Sequence, residues 1–104
     1  MALCAEIITY RVTAADKVFL DLRKTVVDIA LAETPGLIDI PFAGKRPDGS
    51  WIEVWIYASQ EAAEVAMTGS ADAPELVALM GAMADVEVEF AQVPDTARSP
   101  KIHR

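Results

Sequence analysis

Two glutamates and a group of aromatic residues offer most of the chemistry in this sequence. Glu6 lies inside the apolar run CAEIITYRV, residues 4–12, and Glu53 lies between two tryptophans in WIEVWIY, residues 51–57. A carboxylate held in apolar surroundings loses hydration, its pKa rises, and it becomes fit to act as a general base near neutral pH. The plainer role for either is a solvated glutamate at a strand edge. Trp51, Trp55 and Tyr57 would wall an apolar box, and the Tyr57 hydroxyl would donate a hydrogen bond to a phenolate. Large aromatics in small domains also fill cores and interfaces, and the two roles overlap because a cleft wall is also a core. Tyr10 and Arg11 would hold an anionic group of a substrate, unless the arginine pairs with a nearby acid at the rim. The candidate catalytic residues are therefore Tyr57 and Glu6, and the candidate substrate-binding residues are Trp51, Trp55, Tyr10 and Arg11.

Other chemistries lack their residues. His103 in the C-terminal tail is the single histidine, which leaves no Ser-His-Asp or Cys-His arrangement in a core. Cys4 is the single cysteine, so neither an intramolecular disulfide nor a cysteine metal cluster can form, and burial is its expected role. No glycine loop suited to phosphate appears, and no carboxylate spacing points to a metal. The expectation is no metal and no cofactor. Glu87 and Glu89 alternate with Val86, Val88 and Phe90, as on the wet face of a strand. Met67, Met80 and Met83 read as adaptable core filler.

The elements that must position these residues follow the order β-α-β-β-α-β. Residues 4–12 form a strand whose near-continuous apolar character suits cover on both faces. Thr13 reads as an N-cap with Asp16 three residues on. Val18, Leu22, Val26 and Ile29 then recur at helical spacing to about Ala32, with Lys17, Asp21, Lys24 and Asp28 as the wet face. Pro35-Gly36 ends the helix. A strand from Leu37 to Phe42 and another from Trp51 to Ala58 are joined by Arg46-Pro47-Asp48-Gly49, the strongest turn signal in the chain. Ser59 caps the next helix, which breaks near Gly69-Ser70, restarts at Asp72 and runs through Leu76, Leu79, Met80 and Met83. The last strand spans Val86 to Val93, and Pro94 closes it.

Four strands and two helices in this order make an α+β, ferredoxin-like sandwich, an antiparallel sheet with its helices on one face. Ile52, Val54 and Ile56 point to one side of the third strand, and Trp51, Glu53, Trp55 and Tyr57 point to the other. Neither set suits water, and two tryptophans with a tyrosine would expose a patch that monomers avoid. The simplest cover is a second subunit stacked sheet to sheet, an isologous homodimer.

With 104 residues there is room for one domain, expected over residues 1–93, with 94–104 as a basic tail bearing Arg98, Lys101 and Arg104 against Asp95. Apolar residues make up 53% of the chain and mean hydropathy is +0.27, which also favours a partner surface. The net charge of −7 counts against nucleic acid, whose phosphates are bound through lysine and arginine. No signal peptide is apparent and no apolar run approaches the roughly 20 residues of a membrane span, so the expected location is cytoplasmic with no membrane partner.

Over residues 4–93 the chain resembles the antibiotic-biosynthesis-monooxygenase family, within the dimeric α/β-barrel superfamily. The carriers are Pro35-Gly36, the strand VWIYAS from Val54 to Ser59, and Ser59-Gln60-Glu61-Ala62 opening the second helix. Family members show a Glu-Pro-Gly-like step, a strand ending in Trp-x-Ser, and an acidic, alanine-containing helix start. The resemblance implies a dimeric barrel with an apolar cleft between sheet and helices in each subunit. Some members oxidise polycyclic phenols with dioxygen and neither metal nor flavin; others degrade haem. The family's strand tryptophan is Tyr57 here. The asparagine and histidine of the haem-degrading branch are missing, since the first strand reads Glu6-Ile7-Ile8 and the second helix has no histidine. The function expected is a cofactor-independent monooxygenase acting on an aromatic or polyketide-like small molecule. The alternatives are a non-catalytic barrel that binds a small ligand or only assembles, and an isomerase or dehydratase on the same fold.

Overall fold

In the computed structural model, which describes residues 2–69 and 73–97, the order is β1 (Leu3–Val12), α1 (Asp16–Glu33), β2 (Leu37–Lys45), β3 (Trp51–Tyr57), α2 (Gln60–Gly69), α3 (Pro74–Gly81) and β4 (Met83–Val93). A short 3-10 turn at Asp95–Ala97 follows. The strands form one antiparallel sheet in the order β2-β3-β1-β4, the α+β ferredoxin-like arrangement that the element order implies. His103, Lys101 and Arg98 lie outside the described residues, as does Asp72.

Local chemistry sets the ends of the elements. At the β2–β3 turn Gly49 adopts a φ of +88°, its amide donates to Arg46 O at 2.9 Å, and Asp48 accepts from the Ser50 amide at 2.9 Å. Gly36 takes a φ of +79° where the chain leaves α1 for β2. Ser59 caps α2, its hydroxyl oxygen accepting from the Ala62 amide at 3.1 Å.

Three boundaries differ from expectation, the simplest being β2, which runs three residues past Phe42 to Lys45. Thr13 is not the cap of α1. Its amide is tied to Ala82 O at 2.9 Å, and the helix opens two residues later at Ala15, with no side-chain cap. Met83 belongs to β4, not to the preceding helix, because α3 stops at Gly81 and β4 starts three residues earlier than Val86. A bulge explains why alternation missed this. Thr9 pairs with Glu87 but Arg11 pairs with Ala84, so β4 carries one extra residue there, and Asp85 takes a φ of +54°. The extra residue turns Met83 to the same side of the sheet as Val86 and Val88.

The main core lies between the sheet and α1 and α3. Phe19, fully buried, sits between Tyr10 and Trp51 with ring centroids 5.6 Å and 5.2 Å away, in tilted geometry suited to aromatic quadrupoles. Val26 and Leu79 complete this cluster. Ala63 of α2 closes a smaller one against Cys4 and Tyr57. The tryptophan side of β3 is thus covered by the chain's own helices and needs no second subunit. The opposite side carries an aliphatic cluster of strand residues, with Leu3, Ala5 and Ile56 buried among half-buried Ile7, Ile38 and Val54.

Candidate functional site

The register of β1 against β3 brings the chemistry together. Cys4 pairs with Tyr57, Glu6 with Trp55, Ile8 with Glu53 and Tyr10 with Trp51, all on the helix-facing side. Glu6 therefore has Trp55 directly across from it and Tyr57 and Glu53 as its diagonal neighbours, within reach of long side chains. The row divides into a closed end and an open end.

Glu53 anchors the closed end. Only 4% exposed, it accepts hydrogen bonds from the Tyr10 hydroxyl at 2.5 Å, from Arg23 Nε at 3.3 Å and from the Trp55 indole nitrogen. Burying a carboxylate without such donors would cost several kcal/mol, so three donors, one of them the Arg23 cation, explain its presence in a core. Arg23 Nη2 is buried with no partner among the described residues. Burial, the Glu53 hydrogen bond and the Glu53 charge all push the Tyr10 phenol up, so Tyr10 remains an O–H donor.

Glu6 stands at the open end in opposite circumstances. It is 5% exposed, accepts no hydrogen bond from a described residue, and lines a cleft of about 500 Å³ between the sheet and the helices. Burial, and then the neighbouring charge of Glu53, push its carboxyl up to about 6. Tyr57 shares this wall. Burial, followed by the Glu6 charge, drives its phenol well above the ordinary range, which keeps it an O–H donor across the working pH. Trp55 spans both ends, its ring half-buried along the cleft and its N–H committed to Glu53. Most of the remaining wall is apolar, with Val26 and Ile29 from α1, Leu76 and Met80 from α3, and Met83 and Val88 from β4, while Glu33, Thr34 and Glu75 also line it.

Of the residues singled out in the sequence, Glu6, Tyr57 and Trp55 meet on this cleft. Tyr10 and Trp51 do not line it; they are 2% and 6% exposed in the aromatic core, and the Tyr10 hydroxyl is taken by Glu53. Arg11 is exposed near the β2–β3 turn, where the Ser50 hydrogen bonds hold the Asp48 carboxyl low and the Arg46 and Arg11 charges add to the effect. Cys4 is buried, and burial with the charges of Glu6 and Glu64 pushes its thiol up, away from nucleophilic use. Met83 packs against the core as expected, but Met67 and Met80 are about half exposed and are not core filler; all three line the cleft. Arg23 escaped the sequence reading. Its signal was an arginine between Phe19 and Val26, on the buried stripe of α1. Among the described residues no group of histidine, cysteine or carboxylate side chains is arranged to hold a metal.

No family model and no curated protein sequence matches this chain. Solved structures do match. SnoaB, a cofactor-independent oxygenase from Streptomyces nogalater, superposes with a TM-score of 0.68 at 14% identity, over 97% of this chain and 100% of that one. The ActVA-Orf6 monooxygenase of Streptomyces coelicolor, solved with nanaomycin D, gives 0.69 at 20% identity, over 96% and 94%. A NIPSNAP family protein of unknown function from Agrobacterium tumefaciens gives 0.62 at 20% identity, over 97% and 94%. At these identities the shared property is the fold, and it is the fold of the antibiotic-biosynthesis-monooxygenase-like proteins that the sequence resembles.

Proposed function

We propose that this chain is a cofactor-independent monooxygenase acting on an aromatic or polyketide-like small molecule held in the cleft, and that it works as a homodimer. The observation that carries the reading is the pairing of an unpartnered, desolvated Glu6 with a protonated Tyr57 on one wall of a largely apolar cleft. That pair suits a substrate that must lose a proton and hold negative charge on oxygen.

In this reading Glu6 removes a proton from an acidic carbon of a phenolic or ketonic substrate, and Tyr57 donates its O–H to the oxygen that gains charge. The carbanion supplies the electrons. It forms a C–O bond to dioxygen, and the resulting peroxide loses water, leaving one oxygen atom in the product carbonyl and the other in the water. The apolar walls exclude bulk water from the carbanion. The aliphatic face of the sheet, where Ile7, Ile38 and Val54 are only half-buried, is the surface assigned to the second copy.

The test is dioxygen uptake by the purified protein with a panel of naphthols and anthrones and isotope-labelled dioxygen, with native mass spectrometry reporting assembly. Label in the product supports the oxygenase. Saturable binding without uptake would leave a ligand-binding barrel instead, and a clean monomer would remove the sheet-to-sheet partner.

A further inference from the structure

The described charged residues that line the cleft are Glu6, Glu33 and Glu75; no described lysine, arginine or histidine faces it. We infer that the substrate carries a basic amine, received by Glu33 and Glu75 at the mouth while its uncharged aromatic end lies against Glu6 and Tyr57, and that anionic molecules of the same size are excluded. This rests on the reading of the cleft as the substrate site.

Four observations support it. Glu6 is nine-tenths buried, unpartnered and open to the cleft, so a second anion beside it would meet an unscreened like charge. The cation that does lie beneath the sheet, Arg23, is turned to Glu53 and does not reach the cleft. Glu33 is the last residue of α1, where the helix carbonyls already present negative potential, and no basic residue occupies that last turn. A carboxylate there is in an unfavourable field that a bound cation would relieve. Glu75 is exposed in the first turn of α3, and both acids stand on a chain of net charge −7. Rim carboxylates beside low-dielectric walls concentrate cations at the mouth. An organic amine fits better than a metal ion, because the acids do not converge into a ligand set. Keeping the amine at the mouth leaves Glu6 free to act as the base.

Calorimetric binding near neutral pH would compare three probes of one shape: naphthylethylamine, naphthaleneethanol and naphthylacetate. The amine is expected to bind about tenfold tighter than the carboxylate, with the alcohol between them. Added salt should narrow the gap. In a Glu33→Gln, Glu75→Gln double variant, shown to melt normally, the gap should shrink to roughly twofold. Equal binding of all three probes, with the Trp55 indole NMR signal shifting, would overturn the charge selection and leave the cleft as the substrate site. An amine preference unchanged in the double variant would overturn the assignment to the mouth carboxylates. Failure of every probe to bind or to move the Trp55 signal would overturn this inference together with the reading it rests on.

Discussion

Gly36, at the entry to β2, faces the side chain of Ala62 in the first turn of α2 so closely that a β-carbon on Gly36 would lie 2.7 Å from the Ala62 β-carbon. The Gly36 carbonyl also accepts from the Ala58 amide at 2.7 Å. Two separate sequence signals, Pro35-Gly36 and Ser59-Gln60-Glu61-Ala62, are thus the two sides of one contact, which joins the end of β3 to the start of β2. Gly36→Ala should destabilise the fold by roughly 2–3 kcal/mol, combining left-handed strain with the clash. Adding Ala62→Gly relieves only the clash, so denaturant unfolding of the double variant should recover part of the loss. Full recovery would mean the dihedral is not strained by alanine.

Glu6→Gln separates stability from function. A folded Glu6 keeps its proton to about 6, whereas an ordinary glutamate loses it near 4.5. Between those values the native state binds more protons than the unfolded state, so the Glu6 contribution to stability falls as pH rises through this window. Above it the buried charge costs about 1 kcal/mol, discounted for solvent in the cleft. Glu6→Gln should therefore raise the melting temperature above pH 6, leave it unchanged at low pH, and abolish turnover. For the wild type, activity should rise with pH through about 6, because the base must be unprotonated. A flat profile across that range would remove Glu6 as the base.

Glu53 acts on Glu6 through its charge, so its removal should be visible at a distance. Glu53→Gln should lower the acidic midpoint of the activity profile toward the ordinary glutamate value, since one cause of the raised Glu6 pKa is gone. It should also cost about 2–3 kcal/mol, because Arg23 is left part-buried without its counter-charge. An unmoved midpoint in a destabilised but folded variant would make Glu53 purely structural.

The two tryptophans of β3 are alike in the sequence and unlike in the fold. Alternation and the turn at residues 46–49 suffice to put Trp51, Glu53, Trp55 and Tyr57 on one side. They do not say which of them meets a packed helix and which an opening. That is decided by long-range register and by Phe19, which fills the space beside Trp51. The bulge at Asp85 was hidden for a similar reason, since aspartate is an ordinary residue that tolerates the left-handed region. Glu53 with Tyr10 and Arg23 joins residues 43 and 30 positions apart, a relation that local pattern cannot carry. The element order along the chain was legible because most strands are bounded by turn residues, whereas the cleft arises only from how the helices settle over the sheet.

Trp51→Ala should accordingly cost about 3–5 kcal/mol in equilibrium unfolding, the range for a buried ring lost from a core. Trp55→Phe should cost no more than about 1–2 kcal/mol, since the ring is half-buried, but should weaken ligand binding by removing part of the cleft wall and one Glu53 donor. Equal stability losses would mean that the two rings share one packed environment and that the cleft does not open beside Trp55.

Tyr57→Phe isolates the hydroxyl from the ring. The ring packs against Cys4 and Ala63, and phenylalanine preserves that contact, so stability should change by less than about 1 kcal/mol. The hydroxyl has no hydrogen-bond partner among the described residues, and no internal bond is lost with it. Its proposed work is confined to the oxygen that gains charge as the proton leaves. Turnover should then fall by roughly tenfold to a hundredfold, with little change in KM, because the interaction strengthens in the transition state and is weak before it. A phenolic substrate of lower pKa should suffer less from the substitution, since its anion needs less help. A rate unchanged by Tyr57→Phe, for weak and strong phenols alike, would leave the carboxylate of Glu6 to act alone and take Tyr57 out of the chemistry.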